Sequence, residues 1–114
     1  LWQVQRQGQT WGQPRNLGPS VNSPRDETRP FVTSDGAALW YSGDSRLGYP
    51  GHALYRSLRG PDGRWGRTEE IVSNFAAEPT LDEAGVLYFV HHFVNQEGLV
   101  EADIYSMQRT KSQP

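Results

Sequence analysis

Two adjacent histidines, His91 and His92, are the most tempting pair of metal ligands in this sequence. In an extended strand successive side chains point to opposite faces, so the pair cannot share one ion. The third imidazole, His52, lies about forty residues earlier on a Gly-Pro-rich loop. With no cysteine and no zinc-type spacing, no metal site is expected. Carboxylates offer better chemistry. Asp44 and Glu78 could act as acid and base on a sugar, because two carboxyl groups roughly 5 to 9.5 Å apart can flank a glycosidic bond. Arg29, Arg46 and His91 complete a candidate polar funnel around them. Asp44, like Glu27, equally suits the hydrogen bonding of a turn, and that structural use is the stronger expectation. No catalytic residue is assigned. The sequence carries no Gly-x-Ser-x-Gly elbow, no P-loop, no dinucleotide fingerprint and no dedicated calcium loop, so no cofactor is expected.

The elements that must position these residues are short. Twelve Gly and eight Pro are spread along 114 residues and interrupt almost every window long enough for a helix. Brief apolar clusters remain, among them "PFVT", "ALWYS", "ALYRSL", "VLYFVHH" and "DIYSMQ". Turn signals separate them at Asp35-Gly36, Asp62-Gly63 and Ala84-Gly85, as β-hairpins require. Thirteen aromatic residues (four Trp, five Tyr, four Phe) supply large buried areas that offset a low apolar fraction of 35%. The net charge of −2 is distributed without like-charge runs, so no nucleic-acid partner is expected. Ten of the eleven basic residues are Arg, suited to planar contacts with carboxylates or aromatic faces. No stretch approaches the ~20 apolar residues of a membrane span, and the opening lacks the plan of a signal peptide. An opening Leu1 in place of Met fits a processed or excised piece.

The clusters repeat. Pro30 and Pro79 are 49 residues apart, as are Gly36 and Gly85, while Tyr55 and Tyr105 are 50 apart and Trp11 and Trp65 are 54 apart. A period near fifty built from four short strands is the signature of a propeller blade, whose sheet needs neighbours to bury both faces. On this period residues 1–27 are outer strands of one blade, 28–76 a full blade and 77–114 a partial one. Arg29 and Glu78 then hold equivalent innermost positions. Tyr41, Tyr55, Phe89 and Tyr105 fall on faces that stack between sheets, and Trp65 and Trp11 cover the outer parts of successive blades.

Residues 16–66, "NLGPSVNSPRDETRPFVTSDGAALWYSGDSRLGYPGHALYRSLRGPDGRWG", resemble the WD-like β-propeller repeat of the TolB type. Asn22, Pro24, Glu27, Pro30, Asp35, Gly36, Leu39, Tyr41, Tyr55, Asp62, Gly63, Trp65 and Gly66 carry the resemblance. The second unit keeps Glu78, Pro79, Gly85, Leu87, Tyr88 and Phe89 but reads "LDEAG" at its turn and lacks the Ser-x-Asp-Arg-like loop. The resemblance implies an all-β fold of about two four-stranded antiparallel blades with a permuted start, belonging to a larger or oligomeric propeller. It implies recognition of a protein or carbohydrate ligand, as a homo-oligomer or as part of a longer propeller chain, and an exported or envelope setting. The expected function is non-enzymatic binding or scaffolding at Arg29, Asp44, Arg46, Glu78 and His91, with a carbohydrate-active propeller enzyme as the alternative.

Overall fold

The structure is a computed structural model that describes residues 1–110. The chain is all-β, with no helix among the described residues and so none long and apolar enough to cross a membrane. The last four residues of the expected third unit, 111–114, lie outside the described part.

Seven strands of six to eight residues form two antiparallel meanders. β5 (Glu27–Val32), β6 (Ala38–Asp44), β7 (His52–Arg59) and β8 (Trp65–Val72) make a four-stranded sheet in chain order. β9 (Ala76–Leu81), β10 (Leu87–Val94) and β11 (Val100–Met107) make a three-stranded one. Ahead of them β1 (Trp2–Gln3) pairs with β4 (Arg15–Asn16), and β2 (Arg6–Gln7) with β3 (Thr10–Trp11). With the bonds from Gly12 N–H to Gln5 O and from Leu17 N–H to Leu1 O, these pairs are successive rungs of one short hairpin over residues 1–17.

The Asp-Gly signal at residues 35–36 marks a real reversal. Gly36 sits at φ 71°, a left-handed conformation that costs glycine nothing, and its N–H returns to Thr33 O at 2.8 Å. The second copy closes the same way, Gly85 N–H to Asp82 O at 3.0 Å, but one residue shorter: Thr33 N–H meets Ala38 O, whereas Asp82 N–H meets Val86 O. Beyond the turn the repeat is therefore offset by 48 residues, and Leu39 and Tyr41 correspond to Leu87 and Phe89.

This offset explains which way each side chain faces. Leu39, Tyr41, Ala53 and Tyr55 pack with Val21 and Trp65 against the hairpin's Leu1 and Leu17. On the other face Ala38, Trp40 and Leu54 pack against Ala76, Leu87 and Phe89 of the three-stranded sheet. Covered on both sides, β6 is buried at six of its seven positions. Burial of each of the large side chains Leu39, Leu54, Tyr41 and Tyr55 contributes on the order of 1.5 to 3 kcal/mol. Tyr41, Tyr55 and Phe89 lie on these packed faces as expected, and within each sheet Tyr41 stacks on Tyr55 at 5.3 Å and the equivalent Phe89 on Tyr105 at 6.0 Å. Of the two tryptophans expected to cover blades, Trp65 does so at 9% exposure, whereas Trp11 stands 66% exposed.

Candidate functional site

The innermost strand of each meander carries a β-bulge at its Pro. Pairing of β5 with β6 slips between Thr28 and Phe31, and pairing of β9 with β10 slips between Ala77 and Thr80. Proline has no N–H for the ladder, and its ring disfavours right-handed helical backbone in the residue before it. Arg29 and Glu78 resolve the conflict in the left-handed region, at φ 54° and 60°. The freed N–H of Glu78 donates to the buried Ser42 Oγ at 3.0 Å, tying β9 to β6.

The two bulges aim their side chains at each other. Arg29 Nε lies 3.0 Å from Glu78 Oε1, with both side chains about half-exposed. Arg29 Nη1 also donates to Thr28 Oγ1 at 3.2 Å. An ion pair this exposed contributes roughly 0.2 to 1 kcal/mol, whereas each non-glycine residue held at positive φ costs on the order of 1 to 3 kcal/mol. The ion pair alone does not offset that local penalty.

Around the pair opens a cleft of about 370 Å³ lined by Arg29, Gly51, His52, Phe75, Glu78 and His92. Four non-glycine residues have positive φ among the described residues: Arg29, Asn74, Phe75 and Glu78. Three of them line this cleft and the fourth adjoins it, so the backbone strain concentrates here. Phe75, 45% exposed, lays its ring over Gly51 and accepts the His92 N–H on its carbonyl at 3.0 Å. His52 sits opposite Asp44 in the β6–β7 register, with Nε2 3.8 Å from Asp44 Oδ1.

Of the five residues selected from sequence, Arg29 and Glu78 meet directly, and Asp44 borders the cleft through His52. Arg46 goes elsewhere. Its guanidinium lies over the Tyr55 ring at 4.6 Å and donates to Val21 O at 2.8 Å, and its backbone N–H donates to Glu70 Oε1 at 2.9 Å. That is a structural clamp on the loop after β6. His91 stands on the face of Phe89 and Tyr105, edge-on to Tyr105 at 5.4 Å, while His92 takes the cleft. Strand alternation separates the two imidazoles, and the parity that decides between them depends on the shortened turn at Asp82. His52, Phe75 and Gly51 have no sequence signal of their own beyond the Pro-Gly-His run.

Among the described residues no group of three or more His, Asp or Glu could hold a metal ion. A larger opening, about 520 Å³, lies at the opposite end of the sheets between the two hairpin turns, bridged by Ser34 Oγ donating to Glu83 Oε2 at 2.9 Å. Its carboxylates are occupied. Asp82 Oδ1 accepts the N–H groups of Ala84 and Val86, and Asp35 Oδ1 accepts Thr33 Oγ1 and Ala37 N–H, which together hold the Asp35 pKa below its ordinary value. The Arg29–Glu78 cleft is smaller but presents a guanidinium, two imidazoles and an aromatic ring on its walls.

Comparison of the chain with protein-family models, with curated proteins and with solved structures gave no match in any of the three. The functional reading therefore rests on the chain's own geometry.

The bulge itself is testable. Glu78→Gly relieves the left-handed strain while losing the weak ion pair, so its unfolding free energy should stay within about 1 kcal/mol of the parent. Glu78→Val places a β-branched residue at φ 60° and should lose about 2 kcal/mol. Equal losses in a urea titration of the two variants would show that side-chain contacts, not backbone strain, govern this position.

Proposed function

We propose that this chain is a non-enzymatic binding module built from WD-like propeller repeats of the TolB type, with its ligand received in the Arg29–Glu78 cleft. The observation that carries the reading is the pair of left-handed bulges at equivalent innermost positions of two successive sheets, which direct Arg29 and Glu78 into one strained cleft. Face-to-face packing of the meanders, with Leu87 and Phe89 repeating the roles of Leu39 and Tyr41, supports the propeller part.

The ligand chemistry follows from the walls. Arg29 offers planar donors, His52 and His92 offer imidazole hydrogen bonds, and the exposed Phe75 ring offers an apolar platform. A small polar ligand with one apolar face, such as a sugar ring, satisfies all three. The catalytic alternative has less support, because Glu78, one of the two carboxylates proposed as acid and base, is paired with Arg29 at 3.0 Å.

Saturation-transfer NMR against a panel of mono- and disaccharides tests the reading. A binding sugar should lose affinity by at least about tenfold, or ~1.4 kcal/mol, in both Arg29→Ala and Phe75→Ala, with the melting temperature of Arg29→Ala unchanged. Binding that survives both substitutions would place the ligand elsewhere. Failure of every sugar to bind would sink the glycan form of the proposal.

A further inference from the structure

One strand type occurs three times in this chain, and only two occurrences have a partner on their outer edge. Leu1-Trp2-Gln3-Val4-Gln5-Arg6 and Ile104-Tyr105-Ser106-Met107-Gln108-Arg109 match position by position in aliphatic, aromatic, polar, aliphatic, Gln and Arg character. Leu54 to Arg59 in β7 is the third occurrence, sharing the aliphatic, aromatic and polar start and the final Arg but carrying Ser57 and Leu58 between them. The registers confirm the equivalence. Trp2 faces Asn16 as Tyr55 faces Glu70, Gln3 faces Arg15 as Arg56 faces Glu69, and Arg6 faces Trp11 as Arg59 faces Trp65.

Residues 10–17 therefore form the outer strand of a sheet, in the way β8 does. Leu17 packs on the four-stranded sheet as Ile71 packs toward the three-stranded one. Yet residues 1–7 hold them by two short two-residue pairings and the Gly12–Gln5 and Leu17–Leu1 backbone bonds, with Trp2 and Trp11 both about two-thirds exposed. β11 has the opposite deficiency: eight residues long and exposed throughout, it pairs with β10 and has no strand on its other edge among the described residues.

The surfaces beside β11 fit an outer strand of this kind. Trp65 fills the space next to Arg59, whose guanidinium lies 4.6 Å over its ring. At the corresponding place on the three-stranded sheet, next to Arg109, there is an opening of about 300 Å³ lined by Trp40, Arg56, Ile71, Leu87 and Met107. Arg56 Nε is buried there with no hydrogen-bond partner. The outer face of the sheet is apolar and uncovered too. Ile104 and Tyr88 hold the positions of the buried Leu54 and Trp40, but are 77% and 37% exposed.

We propose that copies of this chain associate head to tail by strand exchange: Ile104–Arg109 of one copy replaces Leu1–Arg6 beside residues 10–17 of the next. Trp11 of the second copy enters the opening next to Arg109, repeating the Arg59–Trp65 contact. The short ladder of residues 1–7 gives way to one built on the longer β11, and the open apolar face receives the second copy's four-stranded sheet. The inference rests on the repeat reading above but makes no use of the cleft.

Sedimentation velocity over roughly 1 to 100 μM should show concentration-dependent association. Trp11→Ser and Ile104→Asp, both at exposed positions of the single copy, should each weaken association by at least about tenfold without lowering the melting temperature. The chain has no cysteine, so Arg15→Cys in one preparation and Ser106→Cys in another give a specific cross-link. Mixed under mild oxidation, the two should form a disulfide-linked dimer. A strictly monomeric chain, association indifferent to both substitutions, or a mixture that does not cross-link overturns the proposal. A monomer that still binds sugar through Arg29 would sink the assembly alone and leave the cleft standing.

Discussion

Glu70→Ala is expected to lower unfolding free energy by about 2 to 3 kcal/mol, toward the upper end for loss of a half-buried carboxylate that accepts several hydrogen bonds. The Glu70 carboxylate accepts four donors from three segments: Ser45 Oγ at 2.8 Å, Arg46 N–H at 2.9 Å, Tyr55 O–H at 2.8 Å, and Ser73 Oγ. It fastens the loop after β6 to the end of β8 and fixes the Tyr55 hydroxyl beneath it. Tyr55 responds in turn, its pKa raised by burial first and by the Glu70 carboxylate second. Truncation leaves the Ser45 hydroxyl and the Arg46 N–H without their carboxylate acceptor in a half-buried corner, where a lost partner costs more than the bond contributed, while the Tyr55 hydroxyl keeps Asp44 O at 2.6 Å. Guanidinium unfolding of parent and variant measures the effect, and a loss below about 0.5 kcal/mol would show that water replaces the carboxylate freely.

The same carboxylate makes stability pH-dependent. Burial, the largest single influence, raises its pKa, but the bonds from Ser73, Tyr55, Ser45 and Arg46 N–H together outweigh burial and leave it below the ordinary glutamate value. A depressed folded-state pKa means that the unfolded chain takes up the proton first. The contribution is therefore complete above the unfolded value, near pH ~4.3, and is lost as pH falls toward and through the folded value. Glu70→Gln should lack this increment, so the gap between parent and variant should narrow as pH falls below about 4.

The sequence showed where chain reversals and strands lie because local signals decide them. Asp35-Gly36 and Asp62-Gly63 turn where expected, and the spacings between Pro30 and Pro79 and between Gly36 and Gly85 select two innermost strands with the same bulge. Arg29 and Glu78 were legible from that spacing alone, which gives them equivalent innermost positions beside Pro30 and Pro79; the bulges that turn them toward each other on these edge strands were not. What stayed hidden depended on register and on distant partners. One residue fewer in the turn at Asp82 reverses the parity of β10 relative to a strict 49-residue repeat, and with it the choice between His91 and His92. Arg46 resembled a site residue because its acceptor, Val21 O, and its clamp, Glu70, lie about 25 residues away in opposite directions. Asp44 and His52 face each other across β6 and β7, a pairing that the long Gly-Pro connection conceals.

Gly51→Ala should be nearly as damaging as the loss of Glu70, and its consequences should reach the cleft. Gly51 has φ 75°, where an alanine is strained by roughly 1 to 2 kcal/mol. An added Cβ would also meet three Phe75 ring atoms at 2.3, 2.6 and 2.7 Å, closer than real carbon contacts allow. The ring must move, and it has little freedom: Asn74 and Phe75 are themselves at φ 73° and 65°, and Phe75 O holds the His92 N–H. Overpacking of this kind adds about 1 to 3 kcal/mol, for a total near 3 kcal/mol. Displacing the ring removes the apolar platform between His52 and His92, so any sugar that binds the parent should bind Gly51→Ala at least about tenfold more weakly. Stability and clash separate in the double variant. Gly51→Ala with Phe75→Ala should recover the overpacking component relative to Phe75→Ala alone, leaving only the backbone strain, and a thermodynamic cycle on the four proteins reads that coupling directly. A coupling near zero would mean that the Phe75 ring swings clear at no cost, and that Gly51 is required for its backbone conformation alone.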